Sequence, residues 1–181
     1  MEKMTIATFV AHLTRMHACD DVIAWVRNQQ ADAEAAWAAC QRGDWLLWLV
    51  DRAGVDHHAL VSAACDCAAD VTVLAVDSAR RRTRGEAGPE EVAVDRAAHA
   101  AYVYAARAAY AAAAYADDAA HDGAYAAHAA RAAITAYALA AYDDAAHDGA
   151  AAAFASLARS AHIVREHITW AMVERGLEAQ S

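Results

Sequence analysis

Proline occurs once in this chain of 181 residues and glycine seven times, so few positions oblige a helix to stop. Val, Ile and Thr almost never alternate with polar residues, which excludes a sheet of half-buried strands. No window of about 18 residues is both apolar and free of charge, which excludes a membrane-spanning helix. A basic face is also missing. Residues 1–90 carry 13 acidic and 9 basic side chains, a net −4, and residues 91–181 carry 11 and 6, a net −5. An acidic excess spread so evenly argues against nucleic acid and membrane as partners and suits a basic protein surface. Met1-Glu2-Lys3-Met4 leads straight into an amphipathic segment rather than the apolar core of a signal peptide. In the reducing compartment this implies, Cys19, Cys40, Cys65 and Cys67 are expected to be small buried hydrophobes rather than bridges.

What the chain has is alanine, 57 residues of it, in patterns of helical period, so the fold class is all-α. Thr5 is placed to cap a helix running to about His17, with Ile6, Phe9, Val10 and Leu13 on one face. Asp20 opens a second helix, whose apolar face is Val22, Ile23, Trp25 and Val26 and which fades at Asn28. A third is predicted from about Asp32 to Cys40, presenting Ala33, Ala36, Trp37 and Cys40. Asp56 is placed to cap a fifth, from His57 to about Val76, with Leu60, Val61, Ala64 and Cys65 facing inward.

The fourth helix lies between Cys40 and Gly54 and is the hub. Gly43 reads as the C′ residue closing the helix before it, and Asp44 as the N-cap of the new one. From Trp45 to Val50 every residue is apolar, so no polar face is left and burial on several sides is expected. Each of these side chains contributes roughly 1.5–3 kcal/mol when fully buried. With Trp25, Trp37 and Cys40, residues Trp45, Leu46, Trp48 and Leu49 are expected to form the core of a compact head of about five short helices.

Residues 77–88 mark the clearest internal boundary. Arg80, Arg81, Arg82 and Arg84 make a basic run, which Gly85, Gly88 and Pro89 bring to a close. The expected organisation is a Trp-rich head over 1–77, a basic linker over 78–88, an Ala/Tyr-rich segment over 89–172 and a frayed tail over 173–181. Of the 71 residues from 91 to 161, 36 are Ala, and all seven Tyr of the chain lie among them. The octapeptide Asp-Asp-Ala-Ala-His-Asp-Gly-Ala occurs at 117–124 and again at 143–150. One unbroken helix here would be a rod of about 110 Å. A long Ala-rich antiparallel helical hairpin, bent near Gly123 or Gly149 and packing back on the head, is expected instead.

The repeat supplies the candidate chemistry. Asp117 and His121, and likewise Asp143 and His147, are i, i+4 pairs, and each His is followed by an Asp. On facing helices, His121, Asp122, His147 and Asp148 would offer imidazole and carboxylate ligands to a divalent metal, as in a metal-dependent hydrolase. Surface Asp–His pairs worth about 0.2–0.5 kcal/mol are the plainer account and the preferred one. No cofactor is expected. The acidic positions Asp117, Asp118, Asp122, Asp143, Asp144 and Asp148, with Arg80, Arg81, Arg82 and Arg84, are candidate contact residues for a protein partner. Cys65 and Cys67 point about 200° apart on a helix and do not chelate. Cys40 lacks an orienting third group and is not read as a nucleophile. Arg42-Gly43-Asp44 spells a cell-adhesion tripeptide but fits a helix junction. A long Ala seam would also suit a structural homo-oligomer.

Trp25, Trp37, the run Cys40-x-Arg42-Gly43-Asp44-Trp45-Leu46-Leu47-Trp48-Leu49, then Gly54-Val55-Asp56 and a Cys-containing helix form a recognisable set. Together they resemble the fifth family of immunity proteins of polymorphic toxin systems, a family also common in bacteriophage genomes. The likeness extends to the Ala-, Tyr- and Asp-rich middle region and to the closing segment Ala161-His162-Ile163-Val164-Arg165-Glu166-His167-Ile168. Gln41 stands where the family pattern has Pro. The resemblance implies a cytoplasmic, non-enzymatic protein of a bacterial host that neutralises a toxin by binding it. A phage origin would equally suit an inhibitor of a host defence nuclease, such as an anti-CRISPR protein.

Overall fold

The computed structural model describes residues 3–85 and 148–180. These form seven helices and no strand, in keeping with the all-α class. They are α1 (Ile6–Arg15), α2 (Asp20–Arg27), α3 (Ala33–Ala39), α4 (Gly43–Ala53), α5 (His57–Thr83), α6 (Asp148–His167) and α7 (Trp170–Ala179). The part of the expected hairpin that precedes 148, with its proposed bend at Gly123, lies outside the described residues. Gly149 falls inside α6.

Short side chains start the helices where the pattern places them. Thr5 Oγ1 accepts from the Thr8 N–H at 3.2 Å, Asp32 Oδ1 from Ala35 at 2.9 Å, and Asp56 Oδ2 from Ala59 at 3.0 Å. Each satisfies a backbone donor that the helix itself leaves free. Asp20 and Asp21 occupy the first turn of α2, where the helix dipole favours anions. Gly54 closes α4 in the left-handed region, at φ 67°.

The start of α4 differs from the sequence expectation. The helix begins at Gly43 itself, with Arg42 extended before it as N-cap, and Asp44 already lies inside the first turn. Gly43 is therefore not a left-handed C′ residue. A Cβ there would run into the Cβ of Ser160 on α6, and the Ser160 carbonyl carbon and Ala161 nitrogen stand only 2.7 and 2.8 Å from that position. Nor does Asp44 cap the helix: its carboxylate receives the Arg42 guanidinium.

Three further expectations are corrected. α5 continues to Thr83 rather than ending near Val76, so 78–83 is helix and not linker. No breaker precedes Gly85, and arginines suit a helix C-terminus. The inner face of α5 is Leu60, Ala63, Ala64, Cys67 and Ala68, while Cys65 is exposed and Val61 half-buried. A step of two residues turns the helix by about 200°, so Cys65 and Cys67 cannot share one face. The segment 173–179, expected to fray, is helix. Val173 and Leu177 of α7 are fully buried, and Gly176 sits directly against the Ala53 carbonyl of α4.

α6 is the central packing element, lying against both α4 and α5, while α7 packs on α4 and α1 on α2. The resulting core joins Leu13 of α1 to Leu47 and Val50 of α4, Val164 of α6 and Val173 and Leu177 of α7. Trp170 meets Phe9 edge to face, with ring centroids 5.5 Å apart, and lies 6.4 Å from Trp37. Small residues set the spacing. Gly43 meets Ser160 and Ala161 with no room for a Cβ, and Ala63 is fully buried, so small residues occupy the closest helix contacts. Across α5 and α6, His167 Nε2 lies 2.8 Å from Asp66 Oδ2, and Arg159 Nε lies 3.2 Å from Asp70 Oδ2. Among the described residues no helix is long and apolar enough to cross a membrane.

Candidate functional site

α4 buries Leu46, Leu47, Leu49, Val50 and Ala53 and leaves one narrow strip outward, Trp45, Trp48 and Arg52 at i, i+3 and i+7. Trp25 of α2 stands beside it, its ring 6.1 Å from that of Trp45 and nearly perpendicular at 66°. All three indoles pack on the core yet are only half-buried. Trp37, Cys40, Leu46 and Leu49 are core residues as expected. Trp25, Trp45 and Trp48 are rim residues instead. α5, α6 and α7 pack against α4, and the indole strip is left at the surface.

These indoles line an apolar cleft together with Phe9, Leu13, Val22, Trp37, Cys40 and Leu46. Its volume is about 30 Å³, against roughly 300–1,000 Å³ for a small-molecule site. Tryptophan presents a large, stiff apolar area with a single N–H donor.

Arg42 packs on Trp45, one of the residues that line the cleft. Its guanidinium carbon lies 4.4 Å from the Trp45 ring centroid, stacked on the indole face. Nε donates to Asp44 Oδ1 at 2.8 Å and Nη2 to Oδ2 at 2.7 Å, a two-point fork. Asp44 is 7% exposed, so the fork compensates a carboxylate withdrawn from water. In return the hydrogen bonds to Asp44 hold Arg42 above its already high ordinary pKa, with burial opposing them. The guanidinium is thereby a cation held in one orientation. The tripeptide Arg42-Gly43-Asp44 is closed on itself as a helix start.

Cys40 lines the cleft with its thiol buried. Burial pushes its thiol up, and Sγ is directed at the Arg42 carbonyl at 3.8 Å. Arg165 of α6 fixes this corner from the other side, its Nη1 donating to the Cys40 carbonyl at 2.6 Å and closing the end of α3. Sequence inspection misses both arginines as site residues. Arg42 is hidden in a motif with another meaning, and Arg165 is too far along the chain for any local pattern to connect it to Cys40.

The other sequence candidates fall elsewhere. Arg80 and Arg84 are exposed at the end of α5, where Arg84 Nε donates to the Arg80 carbonyl at 3.3 Å, and Arg81 and Arg82 belong to the same last turn. Neither Arg80 nor Arg84 lines the cleft. Asp148 is the first residue of α6. Asp117, Asp118, His121, Asp122, Asp143, Asp144 and His147 lie outside the described residues. Among the described residues no three His, Cys, Asp or Glu side chains are grouped to hold a metal ion. Comparison of the chain with protein families, with curated proteins and with solved structures finds no match.

Proposed function

We propose that this protein is a non-enzymatic inhibitor that acts by binding a protein target in the cytoplasm of a bacterial host, and that the Trp-rimmed cleft is its docking surface. The carrying observation is the pairing of three half-buried indoles with an arginine already oriented by Asp44. Tryptophan and arginine are the residues most enriched where binding energy concentrates, and one such anchor is worth about 2 kcal/mol or more. Their positions are set by packing against the core, so little side-chain freedom remains to be lost on association. The cleft volume supports an inserted side chain as occupant rather than a metabolite. The resemblance of the Arg42–Leu49 run to immunity proteins supports a toxin as target, with a defence nuclease as the counterpart in a phage setting.

Affinity capture from the native host followed by mass spectrometry tests this. Recovery of one discrete protein in a stoichiometric complex is the expected result. Absence of any protein partner at micromolar concentration would overturn the proposal.

A further inference from the structure

We draw no further inference here: the strongest candidate outside the cleft, the exposed apolar side chains of Val73 on α5 and Phe154 on α6, carries nothing because no feature of the structure shows what covers them.

Discussion

Gly43 of α4 and Ser160 of α6 approach so closely that a Cβ on Gly43 would overlap the Cβ of Ser160. Backbone shares in the obstruction, with Ser160 C at 2.7 Å and Ala161 N at 2.8 Å, and helix backbone cannot swing aside as a flexible side chain can. Gly43→Ala is expected to destabilise by about 1–3 kcal/mol in urea unfolding, although alanine is the better helix former by about 1 kcal/mol. An unchanged or raised unfolding midpoint would contradict this packing.

The C-terminal helix is part of the core. Trp170, Val173 and Leu177 are buried, and each contributes roughly 1.5–3 kcal/mol. Their sum is comparable to the whole stability of a typical domain, about 5–15 kcal/mol. A chain ending at Thr169 is expected to lose its cooperative thermal transition. Retention of the full-length midpoint would mean that α7 is dispensable.

The four thiols should divide into two classes. The reactive species is the thiolate, and burial pushes Cys67 up to about 12 and raises Cys40 and Cys65, of which Cys65 alone remains exposed. Titration of the native protein with a thiol-specific disulfide reagent should modify exposed Cys19 and Cys65 promptly, and Cys40 and Cys67 only after denaturant is added. Prompt reaction of all four would show that the inner faces of α5 and of the α3–α4 turn are open to water.

Stability should fall on mild acidification. His12 is buried on α1, and its pKa is lowered from 6.5 first by that burial and then by Arg15, against the opposite influence of Glu178. The unfolded chain therefore takes up this proton before the folded one, so stability is complete above about pH 6.5 and declines below it. Asp70 acts with the opposite sign. Burial raises its carboxyl above 3.8, so the folded state gains that proton before the unfolded chain does. Urea midpoints measured between about pH 7 and pH 5 should fall for the wild type and change less for His12→Gln. A flat wild-type profile, or an equally steep one in the variant, would rule His12 out as the cause.

The short helices are legible in the sequence because two signals coincide in each, a capping Thr or Asp and an apolar stripe at helical spacing. Phe9 and Leu13 after Thr5, and Ala36 and Trp37 after Asp32, are such cases. Where a residue has two physical meanings the sequence does not choose between them. Gly43 suits a left-handed turn or a crowded helix contact, and only Ser160, far along the chain, decides the matter. Trp45 and Trp48 look like core by hydrophobicity alone. Their place at the rim depends on which sides of α4 the neighbouring helices occupy. The face of α7 is legible: Trp170, Val173 and Leu177 recur at i, i+3 and i+7 among charged residues whose density suggests fraying. Of the cleft itself, the composition can be read and the concavity cannot.

Trp48 sits at the rim of the cleft, so the binding constant of the captured target for wild type and for Trp48→Ala, measured by titration calorimetry, bears most directly on function. A thermal scan shows whether the variant is folded. Docking through the indole cleft predicts a Kd weakened by about 30-fold or more, the equivalent of roughly 2 kcal/mol. An unchanged Kd in a folded Trp48→Ala protein would contradict it and place the contact surface elsewhere.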